Sequence, residues 1–427
     1  MGMTSATGTQ FDDRGASGSA DAAAFPQAAP DGRDRSIPIR TGDLARLLLA
    51  EPGLSAADRA GLAQLIRLLG AVFHYEFYAW LTELKELYAP IDPDSDCVPV
   101  PGFSRPLTDT DDETFLGAFE AALVKANYRK LEFQVLEDAI SAPNELGLNY
   151  VPDLKLFEHL RVYVRGKGRI DRTFRTIKTR FFKRTLTHDT YRRVVILLKF
   201  KPSAGLGDYV SSDVVYLRLF RDVPHAEMDM HLPEQGTKIR MPWIDRIQVA
   251  SPLMVGLPTL AVKAIFSSML VSPWALPLLL SAPLSAGVKS FFGFQRTKQK
   301  YLAKMIRHLY YLTLANNSSV INRLVDSAEE EEFKEALLAY FFLWAGRDDP
   351  EPWDAPRLDE HVEAYLRGKA CGDIDFEIGD ALGKLGRLGL IRRKPQDHLE
   401  AVPIATALEI LDGQWDDYFR FNPRGNP

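Results

Sequence analysis

Apolar residues recur at three- and four-residue steps from position 56 to 89. Leu62, Leu65, Ile66, Leu69, Phe73, Phe77, Trp80, Leu81, Leu84 and Tyr88 fall on one stripe, and Glu76, Glu83 and Glu86 lie largely off it. That period predicts a long amphipathic helix, ended by the Pro- and Asp-rich stretch 90–106. Shorter helices are expected at 112–126 and 130–139. From residue 157 the period falls to two, and 160–166, 172–182, 191–201 and 213–221 read as strands. Arg161, Tyr163 and Arg165 alternate with Val162 and Val164, whereas 194–198 is a continuous apolar run suited to a central strand. One twisted sheet packed on the preceding helices, an α+β arrangement, is the expectation.

Helical spacing returns over 328–344, where Phe333, Ala336, Leu337, Tyr340, Phe341 and Trp344 share a face. The acidic run 329–332 is expected in the first turn, at the positive end of the helix dipole. Residues 358–419 read helix, helix, short strand, turn, strand, helix. The turn Arg392-Arg393-Lys394-Pro395 would be the wing of a C-terminal winged-helix-like domain.

Between Lys263 and Lys289 lie 25 residues without a formal charge. As one helix they would extend ~38 Å, more than the ~30 Å hydrocarbon layer. A single span would be interrupted by Pro273, Pro277 and Pro283. A two-helix membrane hairpin, 253–270 and 274–293, would put Lys263 at mid-depth at a cost of ~3 kcal/mol. Both flanks are basic: Lys238, Arg240 and Arg246 precede the run, and Lys289, Arg296, Lys298, Lys300, Lys304 and Arg307 follow it, with no acid until Asp326. Even against Asp245, that favours the hairpin with both ends on the cytoplasmic side; a buried hairpin inside a soluble protein is the plainer alternative.

Composition changes this picture little. The 427 residues and 46% hydrophobic content support two or three cored domains. Two distant cysteines, Cys97 and Cys371, argue against a disulfide framework or zinc ribbon. Residues 1–38 carry too few large apolar side chains to offset their ordering entropy, which predicts a disordered tail. The net charge of -5 hides a local excess: from 161 to 201 there are 14 Lys and Arg against Asp171 and Asp189.

Several runs resemble one known family: HYEFYAWLTELKELYAPIDPD (74–94), YVRGKGR (163–169), LFRDVPHAEMDMHLP (219–233), KSFFGFQRTKQKY (289–301) and YYLTLANNSSVINRLVDSAEEEEFKEALLAYFFLW (310–344). Over roughly 45–420 the chain is similar to the transmembrane protein 143 family, which carries domain of unknown function 3754. The resemblance implies a two-helix membrane hairpin and supplies no activity and no catalytic residues. The hairpin region here is richer in Pro than the family's Gly-rich pattern.

His225, Glu227, Asp229 and His231 alternate, so a strand would project all four from one face as a metal constellation. A helix would split them into pairs, and a solvated helix is the plainer reading. In the basic region, Arg161, Arg165, Lys167, Arg169 and Arg172, with Lys289, Arg296, Lys298 and Lys300 beyond the apolar run, are expected to contact lipid headgroups or phosphate. An ordinary solvated face and nucleic acid are the competing readings. The would-be recognition helix 375–388 mixes Glu377 and Asp380 with Lys384 and Arg387, which suits a protein partner better than DNA. No Walker loop, nucleophile elbow, HExxH or kinase set occurs, and no cofactor can be assigned.

The expected organisation is a disordered tail (1–38), a helical domain (39–156), a basic β-rich domain (157–248), the hairpin (249–294), a helical segment (295–345) and the winged-helix-like domain (346–427). The expected role is a cytoplasm-facing scaffold or adaptor on a bacterial inner membrane, with the bilayer and a protein as partners. A membrane-bound enzyme or metal protein using 225–231 and a membrane-tethered DNA-binding regulator are the alternatives.

Overall fold

The computed structural model describes residues 33–101, 111–132, 134–136, 149–151, 154–174, 184–202, 210–225, 228, 231–232, 238–240, 288, 290–293, 295–296, 299, 303, 306, 309–369 and 372–419. The helices in chain order are α1 (Thr41–Leu49), α2 (Ala56–Tyr88), α3 (Asp111–Lys125), α4 (Ser318–Ala345), α5 (Ala355–Gly368), α6 (Ile378–Arg387) and α7 (Ile404–Asp417). The strands are β1 (Arg129–Lys130), β2 (Asn149–Val151), β3 (Phe157–Phe174), β4 (Arg184–Phe200), β5 (Tyr216–Pro224), β6 (Lys238–Arg240), β7 (Thr313–Asn316), β8 (Ile391–Arg393) and β9 (Leu399–Ala401).

The predicted long helix forms as α2. Ser55 caps it by accepting from the Asp58 amide, and the Asp58 carboxylate reaches back to the Ser55 amide, so two orphan donors are satisfied reciprocally. Its stripe residues Leu62, Leu65, Leu69, Phe73, Phe77, Leu84 and Tyr88 are buried.

The main sheet has the order β1-β3-β4-β5-β7 with every neighbour antiparallel. β4 is central, and its apolar run divides by parity as a strand buried on both faces requires. Val195 and Leu197 join the helical core with Tyr163, Leu217 and Leu219; Val194, Ile196 and Leu198 join a second cluster with Val162, Val164, Phe220 and Val223. β3 runs on through 166–171, where two separate strands were expected. Gly166 permits this: its φ is 74°, and a Cβ there would lie 2.9 Å from the Arg192 Cβ across the ladder.

α4 is the axis of the molecule. It begins at Ser318, close to the helix pattern expected from Val320 after a cap or turn at 316–319 and well before the clearest stretch 328–344, and packs against α1, α2, α3, α5, α6 and the main sheet. Glu331 and Glu332 therefore sit mid-helix and buried, not in a first turn.

α5, α6, β8, β9 and α7 follow in the predicted order, and Trp353 bridges to Leu399 beside the β8–β9 pair. α6 lies on α4 and α7 lies on α2. Residues 33–38, expected within a disordered tail, are held instead. Ile37 is 1% exposed, and Asp34 makes a parallel bridge to Ile374.

The α+β expectation holds, but the two-helix membrane hairpin does not. Among the described residues no helix is long and apolar enough to cross a membrane. Residues 249–287 of the expected hairpin lie outside the described residues. A run without charge is not by itself a spanning helix, because each proline in the sequence of such a run removes a backbone donor and a lysine at its edge adds the cost of a charge.

Candidate functional site

Two features of the described chain gather more polar or apolar potential than a fold of this kind needs. One is a buried charge cluster where α4 meets α6; the other is an exposed aromatic stretch before β7.

The cluster is built from both helices. Lys384 on α6 is 5% exposed, and its Nζ lies 2.7 Å from Glu335 Oε2, 3.0 Å from Glu332 Oε2 and 2.9 Å from Asp380 Oδ2. Lys125 at the end of α3 pairs with Glu332 Oε1 at 3.1 Å, and Asn127 Nδ2 donates to Glu335 Oε1 at 3.0 Å. Lys384 is held cationic against the burial that opposes it by the Glu335, Glu332 and Asp380 carboxylates. Burial is also the main influence on Glu335, whose pKa is pushed up to about 7 despite Lys384.

A carboxyl with its folded pKa raised above its ordinary 4.5 contributes stability at low pH that is lost as pH rises through that interval. Stability is therefore expected to fall between pH 4.5 and 7 and to level off above it. Glu335→Gln should flatten that part of the profile. Thermal melts of both chains at pH 5 and 8 check this, and equal slopes in the two would refute it.

The expected basic surface of β3 divides into two groups. Arg161 donates to Glu120 Oε1 at 2.7 Å, the same atom that accepts Tyr163 Oη at 2.6 Å and Lys130 Nζ at 3.1 Å. Burial opposes the ionised form of Glu120, but these three donors hold its carboxyl below the usual range. Arg165 caps the Ala126 carbonyl at 3.0 Å and lies 5.1 Å from the Tyr128 ring centroid. Both arginines thus face the helices and serve internal pairs. Lys167 and Arg169 are exposed, Arg169 beside Asp189 at 3.2 Å. Arg172 lies within β3 opposite Leu186. Of the expected phosphate contacts beyond the apolar run, Arg296 is described and helical; Lys289, Lys298 and Lys300 lie outside the described residues.

β5 ends at Pro224, and the described residues 225, 228 and 231 have 3-10 geometry and are not strand. His225 stacks on Tyr191 with centroids 4.0 Å apart, and burial lowers its pKa. His231 is buried edge-on to Phe220. Glu227 and Asp229 lie outside the described residues. Among the described residues no group of three or more His, Cys, Asp and Glu could hold a metal ion.

The would-be recognition helix is turned inward. Lys384 is enclosed by acids as above, and Arg387 makes a bidentate pair with Glu76 of α2 at 2.7 and 2.9 Å. Its two cations are spent within the fold.

The second feature covers the end of the expected hairpin helix 274–293, the family-like run 289–301 and the expected phosphate contacts, and its exposed aromatic residues were not among those contacts. Exposed large apolar side chains concentrate in 288–311: Val288, Phe291, Phe292, Ile306, Tyr310 and Tyr311, with Phe292 65% and Tyr310 77% exposed. Leu309 in this stretch and Leu312 just beyond it pack against the second cluster on the sheet. A run of Phe and Tyr interleaved with Lys and Arg was the available signal.

A family model described as protein of unknown function (DUF3754) matches residues 191–319. That match runs from β4 through the aromatic stretch to the first turn of α4, and this segment is a domain of unknown function. No solved structure matches the chain.

Proposed function

We propose that the chain is a non-catalytic binding protein, a scaffold that rests on an anionic lipid surface through residues 288–311 and offers its C-terminal module to a protein partner. The carrying observation is the exposure of the large apolar side chains Val288, Phe291, Phe292, Ile306, Tyr310 and Tyr311. A fold of this size rarely leaves so many large apolar side chains in water without a contact to make. Its charge fits the same partner: Lys289, Arg296, Lys298, Lys300, Lys304 and Arg307 fall within 288–311 and no acid occurs there. Aromatic and basic side chains together suit the headgroup layer, where each basic residue near the surface is worth ~1 kcal/mol. The reading needs no spanning segment. It also moves the lipid contact away from β3, whose Arg161 and Arg165 are committed to the interior.

The C-terminal elements are read as a winged-helix-like module used for protein contact. α6 spends Lys384 and Arg387 on internal acids, which supports protein over DNA as its partner. The wider motif resemblance over 45–420 supports reading the chain as a bacterial member of the transmembrane protein 143 family.

Co-sedimentation of the full chain with vesicles tests the lipid reading. Binding to phosphatidylglycerol-containing vesicles is expected to exceed binding to phosphatidylcholine alone by at least tenfold at low salt. Phe291→Ser with Phe292→Ser should lower it severalfold, and Arg296→Glu with Lys300→Glu should remove the lipid preference. Equal binding to both vesicles, or tighter binding to duplex DNA than to either, would overturn it.

A further inference from the structure

Residues Arg33 to Ile37 cross the molecule as a strap whose hydrogen bonds and ion pairs reach residues distant in sequence. Two arginines enter an acidic end of the groove. Arg33 Nη1 lies 2.7 Å from Glu363 Oε2, its Nη2 lies 3.3 Å from Asp375 Oδ1, and it also donates to the Ile374 carbonyl at 3.1 Å. Arg35 Nε lies 3.1 Å from Asp375 Oδ2, and its Nη1 pairs with Glu377. The backbone between them is read as a strand would be: the Asp375 amide donates to the Asp34 carbonyl at 2.9 Å. At the other end Ile37 is buried, its amide donating to Glu331 Oε2 at 2.9 Å and its carbonyl accepting from Lys334 Nζ at 2.7 Å.

Those are the parts of a peptide-recognition groove: a backbone rung, two charge-matched side-chain sites two residues apart, and an apolar pocket. We propose that the face formed by α4, α5 and residues 374–377 is a binding site for an Arg-x-Arg-x-Ile segment, and that the chain's own residues 33–37 fill it in cis. A partner segment of the same chemistry would compete with the strap, which gives the C-terminal module a way to exchange a tethered ligand for an external one. The inference is independent of the lipid reading.

A labelled peptide of residues 31–40, added to the full chain, tests it. In the wild-type protein the tethered strap acts at high effective concentration, so the peptide should bind weakly. In the Arg33→Glu, Arg35→Glu chain the strap is repelled, and peptide affinity should rise at least tenfold. Adding Asp375→Lys to that chain should cancel the gain. Should the double reversal fail to fold, Arg35→Ala carries the same measurement with a smaller expected rise. A folded strap variant that binds the native peptide no tighter than a scrambled one, or that is indifferent to Asp375→Lys, would overturn the proposal.

Discussion

Lys384→Met is expected to lower the free energy of unfolding by about 3–5 kcal/mol at pH 8, the range seen when one partner of a buried ion pair is removed. The size follows from what is left behind. Glu332 and Glu335 remain buried, and the Nζ that lay within 3.0 Å of both is gone. Lys125 still touches Glu332 from a half-exposed position, and Asn127 gives Glu335 one neutral donor, so neither replaces a full buried charge. Methionine fills a similar volume, which keeps a cavity from adding to the loss. Two controls separate charge from packing. The deficit should shrink at pH 5, because Glu335 with its pKa near 7 is then protonated in the folded state. The triple variant Glu332→Gln, Glu335→Gln, Lys384→Met should recover most of the loss, since neutralising a whole buried cluster costs far less than breaking it. Denaturant titration at both pH values reads this directly. A Lys384→Met chain within 1 kcal/mol of wild type at pH 8 would show that the cluster carries little of the stability.

This cluster also shows where sequence reasoning stops. α2 was legible because its stripe is apolar and its acids lie outside, so periodicity and burial agree. On α4 they disagree. Glu331, Glu332 and Glu335 fall on positions that packing from several sides encloses, and their cations come from 125, 334 and 384. A rule that puts charge in water placed Glu331 and Glu332 in a first turn, whereas they lie mid-helix. The same non-local pairing misled the reading of β3. Alternation located Arg161 and Arg165 on one face, but only the fold brings Glu120 and Glu331 opposite them. Charge counts reveal an excess and not its destination. The central position of β4 was legible for the opposite reason, because a run buried on both faces has no polar residue to assign. The strap at 33–37 left no signal, since its order rests on partners some 300 residues away.

The junction between sheet and central helix yields the second large effect: Asn317→Ala should cost about 2–4 kcal/mol. Asn317 stands between β7 and α4 with φ 47° and ψ -127°, a conformation that costs a non-glycine residue roughly 1–3 kcal/mol and persists only where surroundings impose it. The surroundings here are its own amide bonds. Oδ1 accepts from the buried Leu217 amide at 3.1 Å, and Nδ2 donates to Asp94 at 2.6 Å, so the side chain ties β5 to the loop after α2. Alanine keeps the strain and leaves the Leu217 N–H without that acceptor, a penalty of about 1–3 kcal/mol for a buried donor. Glycine loses the same bonds but relieves the strain, so Asn317→Gly should be about 1 kcal/mol more stable than Asn317→Ala. Asn317→Asp keeps the acceptor and the shape but sets a second carboxylate against Asp94, so it should behave well only under acid conditions. Urea unfolding of the three variants at pH 7 checks the order. If alanine and glycine proved equal, backbone strain would contribute nothing here and the hydrogen bonds alone would hold the turn; if both matched wild type, the hydrogen bonds would contribute nothing either.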